Sequence, residues 1–348
     1  MSDILMQIFD GHNDTLLRLV GAERKGALIS FFDGHDNLHI DAKKAKAGGF
    51  AGGFFAMFVP PVNETGRELA FHEMCEPVAQ DYALNYTMHL VSMAYRLEAE
   101  ADGAVRICRT TSDIKTTMSE GFIAMLLHIE GAEAIDQDFH ALDVLYGAGL
   151  RSIGPVWSRD NIFACGVPFD FPGSPDQGAG LTEKGKELVR RCNKMGIMID
   201  MSHLNEAGFW DVQKLSSAPL VATHSNVHAL SNTPRNLTDK QLDAIAESKG
   251  VVGLNYAVGF LREDGDQHNP DTPIERMLVH LDYLLNKLGE DGVALGSDFD
   301  GCTLPKDIGS AAGNAKLIDA MRQHGYGEDL IEKIAHKNWL SLLERTGI

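Results

Sequence analysis

Several features that mark particular classes of protein are absent from this sequence or scarce in it. Its 348 residues include five cysteines and no CxxC pair, so we expect neither a disulfide framework nor a thiolate zinc site. No run of about 18 uncharged apolar residues occurs, which argues against a membrane-spanning segment. The first residues, MSDILMQIFDGHND, lack the basic and apolar regions of a signal peptide. These absences predict a cytoplasmic protein that does not associate with membranes.

Basic residues are also scarce. The chain has 31 Lys and Arg against 49 Asp and Glu, for a formal net charge of −18, and binding to nucleic acid requires clustered basic residues. We therefore expect no nucleic-acid partner. The glycine-rich segment GGFAGGFF lacks the Lys-Ser/Thr of a phosphate-binding loop. No GxSxG elbow occurs either, so a serine hydrolase is poorly supported.

Apolar, β-rich runs alternate with stretches of helical periodicity along the chain. Eight such pairs are present, which is the number that a closed parallel barrel requires. The pattern predicts an α/β fold: a (β/α)8 TIM barrel with a long opening helical insertion and extended βα loops, formed by residues 1–348 as one metal-dependent hydrolase domain. The predicted strands are 6–10, 50–58, 122–129, 150–157, 196–201, 219–223, 250–255 and 292–297. The predicted helices are 66–100, 139–148, 181–195, 205–215, 238–248 and 273–288, with two or three more after 313.

Local signals support parts of this pattern. Thr182 is a suitable N-cap for the helix 181–195, and Gly196 follows its last turn. The segment 158–180 is a long loop rich in glycine, proline and aspartate. Loops of this length in a compact domain usually carry function. Because it follows the fourth predicted strand, we expect it to cover a site at the carboxyl ends of the strands.

Five of the apolar runs end on side chains that commonly bind metal ions. They are IFDGHND, AMLLHIEG, GIMIDMSH, PLVATHS and VALGSDFD, and their candidate residues are His12, Asp14, Glu130, His203, His224 and Asp298. The HxD pair alone is weak evidence, although residues two apart on an extended segment face the same side. Since the carboxyl ends of barrel strands converge on one mouth, the whole set predicts a metal centre.

The ligand types indicate which metal and how many ions. Imidazole and carboxylate without sulfur favour zinc or a neighbouring first-row ion at an open, catalytic site. One such ion takes about three protein ligands, so this set predicts two, with Glu130 as the bridge. A water between ions about 3.5–4 Å apart would be acidified towards a pKa of about 7. Asp298 could accept its proton and pass it to a departing amine, whereas Asp300 lies further beyond the strand.

Arg235 lies eleven residues beyond His224, in a segment expected on the same side of the barrel. An arginine there can bind a substrate carboxylate through two parallel hydrogen bonds. Four other histidines are expected outside the metal centre. They are His35, His39, His128 and His228.

At these residues the chain resembles the membrane (renal) dipeptidase family, peptidase family M19, a binuclear-zinc branch of the amidohydrolase superfamily. The resemblance covers nearly the whole chain through FDGHNDTLLRL, HIEGAEAI, LTEKGKELVRRCNKMGIMIDMSHLN, APLVATHSNVHALSNTPRNLTD and VALGSDFDG. It implies the following roles: His12 and Asp14 on one zinc, His203 and His224 on the other, Glu130 bridging, Asp298 as acid and base, and Arg235 as the anchor for the C-terminal carboxylate.

The chain departs from the family pattern after the fourth predicted strand. Mammalian members have a histidine there that helps to bind the substrate and polarise its carbonyl, whereas this sequence reads Trp157-Ser158-Arg159-Asp160-Asn161. We therefore predict Trp157 and Asn161 as substrate-binding residues, with Asn161, Arg159 or zinc alone serving the transition-state oxygen.

These inferences predict a zinc-dependent dipeptidase that hydrolyses small dipeptides (L-Xaa-L/D-Xaa) by a metal-bridged hydroxide. Two alternatives stay open: an N-acyl-amino-acid or lactone hydrolase of the same superfamily, and a peptide- or metal-binding sensor barrel without turnover. The expected partner is the dipeptide. A homodimer, the preferred substrate side chains and the metal bound in the cell are open questions.

Overall fold

Parallel strands form the centre of the fold. The computed structural model describes residues 5–27, 29–63, 67 and 69–348, and within these ranges it contains nine strands. They are β1 (Ile8–Asn13), β2 (Phe50–Phe58), β3 (Val105–Ile107), β4 (Ile123–Glu130), β5 (Leu150–Gly154), β6 (Met198–Ile199), β7 (Val221–Ala222), β8 (Val251–Leu254) and β9 (Val293–Leu295).

The strands form two parallel sheets. The six-stranded sheet has the order β1-β2-β4-β5-β6, with β3 paired to β4, and the three-stranded sheet has the order β7-β8-β9. Single parallel bridges lie between the sheets, from Asp200 to Val221 and from Asn13 to Phe299. The parallel sheet is therefore curled, and the carboxyl ends of its strands lie around a common edge.

Helices follow most strands and cover the outside of the curl. In the described part of the chain they are α1 (Thr15–Arg24), α2 (Ala42–Gly48), α3 (Phe71–Met74), α4 (Gln80–Glu100), α5 (Thr111–Ser119), α6 (His140–Ala148), α7 (Glu183–Met195), α8 (Glu206–Leu215), α9 (Asp239–Glu247), α10 (Val258–Leu261), α11 (Ile274–Leu288), α12 (Asn314–His324), α13 (Glu328–Glu332) and α14 (Asn338–Thr346). A π-helical turn, Lys333–Lys337, lies between α13 and α14. None of these helices is both long and apolar enough to cross a bilayer.

The α/β class and all eight predicted strands are confirmed, although β5, β6, β7, β8 and β9 are shorter than predicted. The single helix predicted over 66–100 is wrong: α3 and α4 are separated by a segment that contains Pro77, and proline disrupts a helix interior. Residues 66 and 68 of that prediction lie outside the described residues. The sequence pattern also missed the short strand β3 and four helices, α1, α2, α5 and α10.

The predicted boundary of α7 is confirmed by its capping geometry. The Thr182 hydroxyl accepts a hydrogen bond from Gly185 N at 3.0 Å, and Gly196 ends the helix in the left-handed conformation, with φ of 71°. These caps satisfy backbone groups that a helix end leaves without partners. The fifth and sixth strands are thereby joined by a helix of defined length.

The interior of the curl is closely packed. Every residue of β2 and of β4 is buried, as continuously apolar parallel strands require. Trp339 of α14 is fully buried, stacks edge-on against Phe54 at 5.2 Å and donates a hydrogen bond to Leu295 O. A Cβ on Gly11 would lie against Thr223 O and 2.7 Å from the Trp339 ring, so glycine is required there for the strand to approach.

Candidate metal centre

The carboxyl ends of the strands bring six predicted side chains together. They are His12 in β1, Asp14 just after it, Glu130 at the end of β4, and His203, His224 and Asp298 in the segments that follow β6, β7 and β9. Five of them are buried, and Asp298 is partly exposed to an adjoining cavity. The convergence expected of parallel strand ends therefore places these groups in one cluster.

Glu130 lies between two pairs of candidate ligands. Its Oε1 is 2.9 Å from His203 Nε2 and 3.4 Å from His224 Nε2. Its Oε2 is 3.6 Å from His12 Nε2, and that nitrogen is 3.7 Å from Asp14 Oδ2. The carboxylate thus directs one oxygen to each pair.

Unpartnered polar atoms show that the cluster fits a cation. Among the described residues, neither ring nitrogen of His12 has a hydrogen-bond partner, and neither does Asp14 Oδ1. A buried polar group without a partner costs about 1–3 kcal/mol, and more if it is charged. Ligand atoms of Glu130, His203 and His224 lie within 4.8 Å of one another, as do those of His12, Asp14 and Asp298. Metal binding would satisfy these atoms.

Burial keeps two of the imidazoles neutral. It lowers the pKa of His203 and of His224 well below the usual value, and the positive charges of Arg235 and His12 lower both further. A neutral imidazole retains the lone pair that binds a metal ion. Burial opposes protonation of His12 as well, but the negative charges of Glu130 and Asp14 raise the pKa of His12 well above its usual value.

The carboxylates of the cluster are also perturbed. Burial raises the pKa of Glu130 to about 7, although the positive charge of His12 acts in the opposite direction. Burial raises the pKa of Asp298, and the negative charge of Asp14 adds to this effect. Several carboxylates are therefore held together in a region where their charges are costly, and divalent cations would compensate for those charges.

Asp298 is held in an unusual backbone conformation. Its φ is 59°, in the left-handed region that non-glycine residues rarely occupy, and its N–H donates to His12 O at 2.9 Å. Asn255 Nδ2 donates to Asp298 Oδ2 at 3.0 Å. Asp300 instead accepts hydrogen bonds from Thr15 Oγ1 and the backbone of 39–40, so its carboxylate stabilises the loop.

A cavity of about 340 Å³ opens onto the cluster. Its polar lining includes Asp14, Glu130, His203 and Asp298, and its aromatic lining includes Phe58, Trp157, Phe169 and Phe260. The rings of Trp157 and Phe169 lie 5.9 and 6.1 Å from that of His203. Since Phe169 belongs to the long loop 158–180, that loop covers the centre as predicted.

A family model described as membrane dipeptidase (peptidase family M19) matches residues 4–347. The chain belongs to this family. The protein is accordingly a metallo-dipeptidase, a hydrolase that acts on peptide bonds. The buried cluster of histidines and carboxylates is its candidate metal centre.

The dipeptidase is similar to solved structures over almost its whole length. A metallopeptidase from Rhodobacter sphaeroides, liganded with a phosphinate mimic of the dipeptide L-Ala-D-Ala, is 46% identical with a TM-score of 0.93, and the match covers 99% of this chain and 100% of that one. Dipeptidase AC, a metallopeptidase of family M19, is 47% identical with a TM-score of 0.91, and the match covers 99% of each chain. The "Uncharacterized protein in pqqA 5′ region" of Klebsiella pneumoniae is 48% identical over 249 residues, which are 72% of this chain and 92% of that one.

Arg235 of the dipeptidase lies beside the centre and is almost completely buried. Its guanidinium donates to the carbonyl oxygens of Ser202 and His224 and lies 5.2 Å from the centre of the Phe260 ring, which lines the cavity. Burial lowers the pKa of Arg235 to about 10, while the charges of Asp298, Glu130 and Asp200 act in the opposite direction. The predicted anchor is thus adjacent to the cavity rather than on its surface.

The structure does not bring Asn161 to the cavity. Its amide Nδ2 donates to Pro155 O at 2.8 Å, and its Oδ1 accepts from Phe163 N at 2.8 Å. Both ends of the side chain therefore stabilise the turn of its own loop. Arg159 is likewise engaged elsewhere, in a buried ion pair with Glu133 at 2.6 Å. Of the residues predicted to act in place of the missing histidine, only Trp157 lines the cavity.

Sequence reasoning missed the groups that hold the two neutral imidazoles. Ser158 Oγ lies 2.9 Å from His203 Nδ1, and Thr223 Oγ1 lies 2.8 Å from His224 Nδ1. Thr223 directly precedes a predicted ligand, so its position in VATHS was the available signal. Ser158 is 45 residues from its partner, and no local pattern relates the two.

The histidines that were expected outside the metal centre have other contacts. His128 is fully buried, with Nδ1 2.9 Å from Ser152 Oγ. His39 Nδ1 accepts a hydrogen bond from Asp300 N at 2.8 Å, and His228 Nε2 lies 2.8 Å from Gly173 O. His35 Nδ1 accepts from Asn37 N at 3.1 Å. The contact of His128 joins the neighbouring strands β4 and β5, and the contacts of the other three histidines stabilise loops.

Proposed function

We propose that this dipeptidase binds two zinc ions and hydrolyses the single amide bond of small dipeptides, L-Xaa-L/D-Xaa. The observation that carries the proposal is the position of Glu130, with one carboxylate oxygen towards the pair His203 and His224 and the other towards His12. We assign the fold to a single (β/α)8 barrel domain over residues 1–348. The bridges at both edges of the two sheets support that assignment.

The proposed ligands divide into two sets that share one carboxylate. His12 and Asp14 would hold one ion, His203 and His224 the other, and Glu130 both. When bound, zinc supplies Lewis acidity, which acidifies water and polarises a carbonyl at neutral pH. The neutral state of His203 and His224 prepares them for this role because no proton must leave before binding.

Asp298 is the proposed acid and base. Asn255 holds its Oδ2, and we assign proton transfer to Oδ1, which would accept the proton of the attacking water and deliver it to the departing amine. The raised pKa of Asp298 favours both steps, because a carboxylate is a stronger base when burial opposes its charge. Its side chain also lines the cavity in which the scissile bond would lie.

The shape of the cavity favours a small substrate. Its aromatic lining, which includes Phe58, Trp157, Phe169 and Phe260, excludes water and offers flat apolar surfaces to short side chains. Arg235 is the proposed anchor for the C-terminal carboxylate, and its Nε has no hydrogen-bond partner among the described residues. The dipeptide mimic bound to the similar Rhodobacter metallopeptidase supports a substrate of this size.

The proposal is tested by comparing kcat/KM of the zinc-reconstituted enzyme on L-Ala-D-Ala, L-Ala-L-Ala and N-acetyl-D-alanine. We expect rapid cleavage of at least one dipeptide and none of the acetyl compound. Cleavage of the acetyl compound alone would contradict the proposal and favour an N-acyl-amino-acid hydrolase. The two dipeptides also show which stereochemistry the cavity accepts at the C-terminal residue.

A further inference from the structure

A buried carboxylate, Asp200, lies directly behind His203 and His224, the ligands proposed for one of the two ions. It is 3% exposed and accepts four hydrogen bonds. Oδ1 accepts from Ser202 N at 3.0 Å, Ser202 Oγ at 2.6 Å and Thr223 N at 2.9 Å, and Oδ2 accepts from Thr223 Oγ1 at 2.6 Å. Ser202 and Thr223 immediately precede His203 and His224. One side chain therefore connects the two segments that carry these ligands.

The connection crosses the boundary between the two sheets. Asp200 follows β6 and forms the isolated parallel bridge to Val221 of β7. Ser202 Oγ also accepts a hydrogen bond from His224 N at 3.1 Å. Since β6 and β7 are two residues each, their strand pairing contributes few hydrogen bonds. The polar contacts of Asp200 therefore hold the strand ends at a fixed distance.

The direction of the hydrogen bonds determines the tautomer of His224. A carboxylate only accepts, so the single hydroxyl hydrogen of Thr223 points to Asp200 Oδ2. Thr223 Oγ1, 2.8 Å from His224 Nδ1, is then the acceptor, and His224 carries its proton on Nδ1. Its Nε2 is left with a lone pair, 3.4 Å from Glu130 Oε1 and 3.1 Å from His203 Nε2.

Asp200 is not itself placed to bind the ions. Oxygen and nitrogen atoms of Asp200, His12 and His224 do lie within 4.8 Å of one another. However, both Asp200 oxygens are already occupied by four donors, and Oδ2 is 3.9 Å from His224 Nδ1, the nitrogen that points away from Glu130. His128 Nε2 also faces this oxygen, at 3.6 Å.

We propose that Asp200 and Thr223 are positioning residues of the metal centre. The carboxylate acts through the Thr223 hydroxyl to keep His224 Nε2 available for the ion that His203, His224 and Glu130 would hold. Through Ser202 it also maintains the spacing of the two imidazoles. The inference rests on the proposed two-metal function and adds the residues that prepare one of the two sites. Groups that orient a metal-binding imidazole typically change metal affinity about 10- to 100-fold when they are removed.

The test compares Thr223→Val, Thr223→Ser and a matched control, Thr87→Val. Thr87 is fully buried in α4 and its hydroxyl has no partner among the described residues, so its substitution makes the same chemical change away from the centre. Zinc affinity is measured by competition with a chromophoric chelator, and the geometry of the site by the visible spectrum of the cobalt-loaded protein. Thr223→Val should bind the ion assigned to His203 and His224 about 10- to 100-fold more weakly. The cobalt spectrum of this variant should change, and the ion assigned to His12 and Asp14 should stay bound.

Two variants should behave as the wild type: Thr223→Ser, which keeps the hydroxyl, and Thr87→Val. Unchanged affinity and spectrum in Thr223→Val would overturn the inference. Nitrogen-15 NMR of the histidine-labelled, zinc-loaded wild type tests it without any variant: a proton on His224 Nδ1 is expected, and a proton on Nε2 would overturn it. A wild type that binds fewer than two zinc ions would instead contradict the proposed function, so the two failures are distinguishable.

Discussion

The two sheets of this dipeptidase differ in how they are held together. The six-stranded sheet contains β2 and β4, nine and eight residues long, joined by a continuous parallel ladder. The three-stranded sheet consists of strands of two to four residues. Nevertheless, these short strands are followed by three residues that lie at the metal centre, His224, Asn255 and Asp298. Long apolar strands therefore provide the frame, and the shorter part must be positioned by other contacts.

Those contacts are buried aspartates at the two boundaries between the sheets. At one boundary Asp200 bonds Ser202 and Thr223. At the other, Asp10 accepts from Ser297 N and Ser297 Oγ, both at 2.7 Å, directly before Asp298. Burial raises the pKa of Asp10 to about 7, although the hydrogen bonds from Ser297 act in the opposite direction. The comparison indicates that apolar burial stabilises the fold, whereas polar side chains place the reactive groups.

The comparison predicts that substitutions in the two sheets reduce activity to different extents. The largest reduction is expected at Glu130 of the six-stranded sheet. Glu130→Gln removes the charge shared by both ligand pairs, so bound zinc should fall and kcat/KM should decrease about 10³-fold or more, equivalent to several kcal/mol. Zinc content by elemental analysis and dipeptide hydrolysis measure both effects. Glu183→Gln, at a carboxylate that is 86% exposed, is the control and should change neither. Full zinc content in Glu130→Gln would contradict the bridging role.

A second prediction concerns Asp298, which follows the three-stranded sheet. Asp298→Asn should retain both metal ions, because the proposed ligands are other residues, while kcat falls about 10²- to 10⁴-fold through the loss of general acid and base catalysis. Metal content and steady-state kinetics on one dipeptide distinguish the two effects. Turnover at the wild-type rate would show that the proton is transferred by another group.

A smaller effect is expected from Arg235, whose proposed partner is the substrate rather than the metal. Arg235→Met should raise KM about 10- to 100-fold, as expected for a lost hydrogen bond between charged groups, with zinc content unchanged. Arg235→Lys retains the charge but not the paired donors and should be intermediate. If Arg235→Met instead loses zinc, the bonds to Ser202 O and His224 O are its main role, and it belongs with the positioning residues.

The smallest effect is expected from a substitution in a helix, away from the carboxyl ends of the strands, which should change stability and not activity. Thr182→Ala removes the hydrogen bond to Gly185 N at the start of α7 and should lower the free energy of unfolding by about 1 kcal/mol. Denaturant titration measures the loss, and kcat/KM should stay unchanged. Thr182→Ser restores the acceptor and should recover the stability. A marked loss of activity in Thr182→Ala would contradict the separation between residues that stabilise the fold and residues that form the metal centre.

Much of the frame was predictable because it depends on local pattern. Continuous apolar runs located all eight of the predicted strands, and strand ends in a parallel sheet converge, which indicated the candidate ligands. The elements that were missed carry weak signals. β3 has three residues, and α2 (AKKAKAG) is seven residues long with two of them buried. A short element with little apolar surface produces no clear period, so only its packing reveals it.

The sequence by itself determined the order of eight strands, the α/β class and the candidate metal ligands, because each follows from periodicity or from residues at strand ends. Tertiary structure alone decided which polar groups support them. Asn161 turns into its own loop, Arg235 lies behind Phe260, and Asp10 reaches Ser297 across 287 residues. Hydrogen bonds of this kind join atoms that are adjacent only after the chain has folded, so no local pattern contains them.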